Sequence, residues 1–382
     1  MTATLAANPG KLERFRVPAE HMVLGALPLA STVGLLLFVI HAHELALDFG
    51  AVYYQAAERL LHGANPYAVS NLDVATGRTF VYPALAAFLF TPFALVGRVP
   101  GESLVTLACM VSGLGALRVM GVRDWRVYGI AMLWLPTITA WQTGNLTLPL
   151  ALLTAIVWKY RERPLVAGLV TAIAISLKPF VWPLALWLLA TRRWRACGWT
   201  VAWGVAINLS SWTIVGFGRI SDFVNMSSRD LSALWRQGYS VVAALHHLGA
   251  GRPAGEAVLM VATALVMAML MRVGWRGDER RALVLAVALM LVASPLVWTH
   301  YFALLMVALA SSRTRFDGYW VAPVAMWVCP PTHGVQTWEL VVCWLAAGVC
   351  IFGAWRDGAS DRLSDVVGDR LPDVRAVRQP VG

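Results

Sequence analysis

Apolar residues in this chain form long runs separated by short polar or basic stretches. The runs cover roughly 22 to 42, 80 to 97, 102 to 118, 127 to 141, 145 to 158, 164 to 190, 196 to 217, 255 to 273, 281 to 311, 318 to 330 and 335 to 355. The first, from about Met22 to His41, is long enough to cross a bilayer core of roughly 30 Å as a helix. Two runs are interrupted, at Lys178-Pro179 and at Ser294-Pro295. Each predicts two short helices meeting at a break, because proline donates no backbone hydrogen bond and disfavours a helical residue before it. The pattern predicts an all-α polytopic membrane protein of about eleven to thirteen helical elements. They form one domain from 22 to 355, between a short segment 1 to 21 and a tail 356 to 382. The tail is rich in Arg and Asp and reads as disordered cytoplasmic sequence. No internal repeat is evident, which weakens an inverted-repeat transporter.

Between the first two runs lies a long polar loop with its own periodicity. Phe49, Val52, Tyr53, Ala56 and Leu60 recur at helical spacing, while Gln55, Glu58 and Arg59 face elsewhere. This predicts an amphipathic helix lying along the membrane surface and stopping at Gly63, before Asn65-Pro66. Asp48 opens it. An aspartate there is either an N-cap satisfying the first free amides or a carboxylate placed where a lipid-borne substrate presents its head group.

Composition agrees with the pattern: 58% of residues are hydrophobic and 14% charged, against about 25% charged in a soluble domain. The mean hydropathy is +0.63. The net charge of +10 resides in clusters between the apolar runs: Arg118, Arg123 and Arg126; Lys159, Arg161 and Arg163; Arg192, Arg193 and Arg195; Arg280 and Arg281; Arg313 and Arg315. That is the positive-inside pattern of cytoplasmic loops, and it argues against nucleic acid as a partner. From Lys159 onward the clusters are mutually consistent with one side. They put 223 to 250, 294 to 301 and 329 to 336 on the other side, together with Asp48. Between 80 and 160 basic clusters flank an odd number of crossings and cannot all be cytoplasmic, so one element there is expected to be re-entrant or half-length. The first run has no cleavage site and reads as a retained helix. The five cysteines form no CxxC pair.

The remaining polar candidates sit at breaks in the apolar runs. Lys178 follows an uncharged stretch and is either functional or snorkelling to an interface. His300 occupies the Ser294-to-Tyr301 break, as a ligand or as a histidine hydrogen-bonded between helices. Gln142, Gly144 and Asn145 form a third break, where glycine permits a tight turn and the amides suit hydroxyls. The chain has no Walker loop, GxSxG, HExxH or dinucleotide fingerprint. No cofactor is indicated. No His, Cys or carboxylate cluster has metal-ligand spacing, which leaves a metal requirement open.

Taken in order, these features resemble glycosyltransferase family 87, the polyprenol-phosphate-dependent mannosyltransferases of the GT-C superfamily. Asp48 with Tyr53 and Ala57, then Gly63-Ala64-Asn65-Pro66-Tyr67, is similar to the family's opening signature, and Phe80-Val81-Tyr82-Pro83 to the start of its second membrane helix. Gly144-Asn145, Leu177-Lys178-Pro179 with Arg192-Arg193-Trp194-Arg195, and Ser294-Pro295 through Trp298 and His300 match later positions in the right order. Ala84 in place of a second proline and Thr299 at a position often polar or acidic are departures that bear on which sugar is used.

The resemblance implies a GT-C bundle in the cell membrane with its active site on the extracytoplasmic side. It implies Asp48 as general base, with Lys178 first and His300 second as cations for the donor phosphate, and Arg229 and Arg236 as further candidates. Tyr53, Asn65, Tyr67, Tyr82, Gln142, Asn145 and Trp298 complete the substrate-binding set. The implied partners are a polyprenyl-phosphate sugar donor, a glycolipid or glycan acceptor and membrane lipids. Direct displacement would invert the anomeric centre, and no second outer carboxylate is obviously paired with Asp48, Glu44 and Asp73 being the remaining candidates. The competing readings are the same fold using another polyprenyl-phosphate sugar such as arabinofuranose, a lipid or glycan transporter, and a catalytically dead scaffold.

Overall fold

The structure, a computed structural model, describes residues 20–68, 71–329 and 335–356. Most of the segment 1 to 21 and of the tail 356 to 382 lies outside these residues. All regular structure among the described residues is helical, as it must be where a bilayer offers the backbone no hydrogen-bond partner. Four helices are long and apolar enough to cross a membrane: Met22–His41, Arg98–Val119, Arg252–Trp275 and Thr337–Trp355. A fifth candidate, Trp194–Val215, bends by 98° into Phe217–Leu234. The remaining apolar runs fold into shorter helices, because Pro and Gly interrupt them.

In chain order the α-helices are α1 (Leu27–His41), α2 (Tyr54–Leu61), α3 (Asn71–Ala75), α4 (Ala84–Leu95), α5 (Arg98–Val119), α6 (Trp125–Leu133), α7 (Leu135–Thr143), α8 (Thr147–Lys159) and α9 (Pro164–Leu177). There follow α10 (Pro183–Ala190), α11 (Trp194–Val215), α12 (Ile220–Leu234), α13 (Val241–His247), α14 (Arg252–Trp275), α15 (Glu279–Val292), α16 (Leu305–Ala310) and α17 (Thr337–Trp355). α8, α15 and α16 form the interior, with Leu148, Ala151, Leu283, Ala286, Met306 and Ala308 fully covered. α14 lies outermost and exposes Val258, Met260, Val261 and Leu265, the apolar surface that lipid covers. α9 meets α11 closely: a Cβ on Gly168 would fall 2.5 Å from that of Trp199, the close backbone approach small residues allow between membrane helices.

Both expected breaks are present. α9 ends at Leu177, Lys178 is extended (φ −151°, ψ 106°), and a 3₁₀ turn Pro179–Val181 leads to α10. After α15, a second 3₁₀ stretch, Thr299–Leu304, runs into α16.

The basic clusters gather at one end. Arg193 pairs with Glu279 at 2.7 Å and with Glu162 at 2.5 Å, and Arg161 pairs with Glu279 at 3.0 Å. Arg281 donates to the carbonyl of Trp355, and Arg313 to that of Gly353. Asp124, the N-cap of α6, accepts from the backbone N–H of Phe316 at 2.9 Å. Residues 124, 161, 193, 279, 313 and 355 therefore share an end. The half-length element required between 80 and 160 is α4. It starts beside Tyr82, turns at Gly97 (φ 89°) and hands over to α5. The start of α5 lies against Phe49 and Gly50, since a Cβ on Gly50 would meet Glu102 and one on Gly101 would meet Phe49. Both ends of α4 thus stay at the end of the molecule opposite the basic clusters.

The loop helix is amphipathic as expected, opening with a π-helical turn Phe49–Tyr53 that runs into α2. Phe49, Val52, Tyr53 and Ala56 are buried, while Gln55 and Glu58 are exposed. Its apolar face, expected on the membrane surface, is covered by protein: Tyr53 stacks on Phe90 of α4 at 4.2 Å. The shortness of α4 provides that cover.

Candidate active site

Asp48 follows two residues in left-handed conformation, His43 (φ 57°) and Ala46 (φ 50°). They turn the chain sharply back from α1. Asp48 itself is helical in φ and ψ, and its side chain makes no capping hydrogen bond. The capping alternative is therefore not realised. The carboxylate instead accepts from Asn145 Nδ2 at 2.9 Å.

Asn145 is placed by the C-terminus of α7. Gly144 adopts the left-handed conformation (φ 67°), and a Cβ there would stand 3.1 Å from both Ala46 and Val105. The loops carrying Asp48 and Asn145 therefore meet at Ala46 and Gly144. Asn145 is 2% exposed and every polar atom of its side chain is used. Nδ2 donates to Asp48 and also lies 3.4 Å from the Tyr53 hydroxyl; Oδ1 accepts from the Thr147 amide at 3.2 Å, its hydroxyl at 3.0 Å and Lys178 Nζ at 3.3 Å. A carboxylate on one side and an ammonium on the other fix the amide's orientation. Asn145 thus joins the two charges without a direct ion pair between them.

Lys178 is 5% exposed in the break between α9 and α10. Three aromatic rings surround its ammonium: Tyr301 at 4.2 Å, Tyr82 at 5.3 Å and Phe180 at 5.4 Å. Such faces attract a cation without neutralising it. The lysine does not snorkel. His300 is 7% exposed, lies beside Tyr301 with ring centroids 5.0 Å apart, and its Nε2 has no hydrogen-bond partner among the described residues. Asp48, Tyr82, Phe180 and Trp298 retain partial exposure, so the cluster opens to its surroundings on that side. Burial raises the Asp48 carboxyl above the usual range, opposed by the Asn145 hydrogen bond and the Lys178 charge.

The expected residues thus divide. Asp48, Tyr53, Tyr82, Asn145, Lys178 and His300 come together. Tyr67 and Asn65 stand behind them: the Tyr67 hydroxyl donates to the Tyr82 carbonyl at 3.0 Å, and Asn65 donates to Asp222 of α12 at 2.8 Å. Gln142 lies in the last turn of α7, outside the Asp48–Asn145–Lys178 network. Trp298 is partly exposed just before the turn that carries His300. Arg229 and Arg236 are exposed on α12 and just after it, Arg236 lying 5.0 Å over Trp235. Glu44 is exposed. Among the described residues no three His, Cys, Asp or Glu side chains converge as a metal site.

Residues 80–295, more than half of the chain, match the glycosyltransferase family 87 profile. The chain belongs to glycosyltransferase family 87. Tyr82, Asn145 and Lys178 lie inside the matched stretch, and Asp48 and His300 on either side of it. A curated relative from Mycolicibacterium smegmatis, a polyprenol-phosphate-mannose-dependent alpha-(1-2)-phosphatidylinositol pentamannoside mannosyltransferase, is 26% identical over 276 residues. The match covers 65% of this chain and 60% of that protein. No solved structure gives a significant match.

Several participants were not singled out in the sequence. Tyr301, stacked on Phe180 at 4.6 Å, and Thr147 complete the surroundings of Lys178 and Asn145. Asp230 of α12, 7% exposed, accepts from the Thr79 hydroxyl, three residues before Tyr82. The sequence signals were thin: Tyr301 adjoins His300, and Thr147 follows Asn145 at the spacing of an Asx turn. Nothing local distinguishes Asp230 from other acidic residues on an exposed helix.

Proposed function

We propose that this chain transfers mannose from a polyprenyl-phosphate donor to an acceptor hydroxyl, with inversion, at the end of the molecule opposite the basic clusters, and that this end faces the extracytoplasmic side. The carrying observation is the Asp48–Asn145–Lys178 relay, which holds a base and a cation close together but unpaired. Asp48 takes the proton of the acceptor hydroxyl as its oxygen bonds to the anomeric carbon. The bond from that carbon to the phosphate oxygen breaks on the opposite face, and the phosphate leaves with the electron pair. Lys178 meets the growing charge, with the unpartnered His300 Nε2 beside it. The aromatic rings around Lys178 keep water away and leave its charge available. One displacement gives an α-product from a β-linked donor. The family membership and the donor named for the mycobacterial relative support the choice of mannose on a polyprenyl phosphate.

Asp48→Asn tests the reading. An amide of the same size keeps the contact with Asn145 but takes no proton, so transfer should fall ~10² to 10⁴-fold. Stability should not fall. The folded state raises the Asp48 pKa, so the charged form costs stability as pH rises through that value, and asparagine carries no such charge. Reconstituted protein, assayed with lipid-linked mannose and followed by thermal unfolding, reads both quantities. Full activity in a stable Asp48→Asn protein would reject Asp48 as the base.

A further inference from the structure

The last two apolar runs fold as antiparallel neighbours, a 3₁₀ stretch Gly318–Val328 lying alongside α17. The stretch begins beside the C-terminal turns of α17. A Cβ on Gly353 would fall 2.4 Å from Tyr319 there, and the Cys350 thiol reaches the Tyr319 carbonyl at 3.9 Å. It ends beside the first turns of α17, where the Cys329 thiol donates to the Glu339 carbonyl at 3.7 Å. In the helix that same carbonyl accepts from the amide of Cys343, four residues on. A helical Cβ tilts toward the N-terminus, so the Cys343 side chain is directed back over the turn that Glu339 begins. The two sulfurs meet at this turn, the Cys343 thiol donating to that of Cys329. Both are free thiols in the structure, and both are fully buried.

A buried thiol is often no more than a small apolar filler, and the other buried cysteines fit that role: Cys109 and Cys350 each donate to a backbone carbonyl. Cys329 and Cys343 differ in facing each other and in where they lie. Cys343 is about 9 Å along α17 from Thr337 and about 15 Å from Gly353, which Arg313 holds at the basic end. The pair is thus on the side of Asp48. Next to it, Trp344 donates to the Tyr239 carbonyl at 2.9 Å, and the Tyr239 amide donates to the Val297 carbonyl at 2.6 Å, three residues before His300. We infer that Cys329 and Cys343 are joined by a disulfide in the mature protein, tying the end of the 3₁₀ stretch to the first turns of α17 behind the loop that carries His300. This rests on the proposed extracytoplasmic orientation of that end, because disulfides persist in that compartment and not in the cytosol. The oxidant is a protein disulfide of the thiol-exchange class. One cysteine thiolate attacks it to form a mixed disulfide, and the second displaces the partner's sulfur. The two cysteines lose two protons and two electrons, and the partner leaves as a dithiol. Closure precedes the docking of α17, since packed sulfurs are out of a partner's reach, and the same burial then shields the bridge from reductants.

Two measurements test it. Cells are quenched in acid, free thiols are blocked with N-ethylmaleimide in denaturant, and the protein is then reduced and labelled with a polyethylene-glycol maleimide. Two of the five cysteines should take the heavy label. Cys329→Ala and Cys343→Ala should each take none, while Cys350→Ala still takes two. An unaltered protein without heavy label, or heavy label that survives Cys329→Ala, would overturn the bridge. The second measurement is independent of orientation. Purified, reduced protein loosened in mild denaturant with oxidised glutathione should close the same pair, and failure to close would overturn the pairing. Closure there with none in cells would overturn the bridge as a feature of the mature protein. Labelling of Gln237→Cys from outside the cell then reads separately whether the orientation has failed.

Discussion

At the scale of single residues, the site turns on Asn145, which donates an amide hydrogen to Asp48 and accepts at its oxygen from Lys178. Its contact lowers the carboxyl pKa while burial raises it. Under the proposed mechanism Asp48 acts ionised, so the acid limb of the rate follows that pKa. Asn145→Ala removes a lowering contact, and the limb should move to higher pH. The variant's deficit should then be greatest in acid and shrink as pH rises. A pH–rate profile checks this, and a deficit equal at every pH would show Asn145 to be structural only. Residues such as Asp48 and Lys178 were legible because a carboxylate or an ammonium is rare beside apolar runs. Their convergence was not legible, since Asn145 lies 97 residues from one and 33 from the other. Tyr301 and Asp230 were missed because a tyrosine beside an apolar run, or an aspartate in a polar helix, carries no distinctive local signal.

Among the elements, the turn ending α7 has the strictest requirement. Gly144→Ala would place a Cβ in left-handed backbone against Ala46 and Val105. Left-handed backbone alone costs about 1–2 kcal/mol in stability. Displacing Asn145 from Asp48 should reduce transfer by about 10²-fold, more than that stability loss accounts for. Thermal unfolding and turnover, measured on the same preparation, separate the two effects. Loss of stability with turnover intact would sever Gly144 from the site. Helix breaks at Lys178-Pro179 and Ser294-Pro295 could be read directly from proline chemistry. The cover over α2 could not, because an amphipathic pattern records an apolar partner without saying whether that partner is lipid or protein.

For the whole molecule, two ends of opposite character organise everything else. Arginine-rich contacts tie residues 161, 193, 279 and 313 to one end, and the Asp48 cluster occupies the other. If the basic end is cytoplasmic, Gln237→Cys should react with an impermeant maleimide in intact cells, and Arg195→Cys only after permeabilisation. Cys197, the one cysteine not buried, would be replaced in both. Equal labelling of the two positions in intact cells would overturn the orientation. The sequence revealed the clusters but left the crossings between 80 and 160 unbalanced. The imbalance disappears once α4 is seen to begin and end on the same side. α4 has a further consequence under the proposed chemistry. With only 12 residues it leaves the flank of α11 open sideways to lipid, so the donor arrives by lateral diffusion within the bilayer and not from water. The concentration that governs the rate is then the donor's mole fraction among the surrounding lipids, and added inert lipid slows the enzyme by surface dilution even when the bulk donor concentration is held constant.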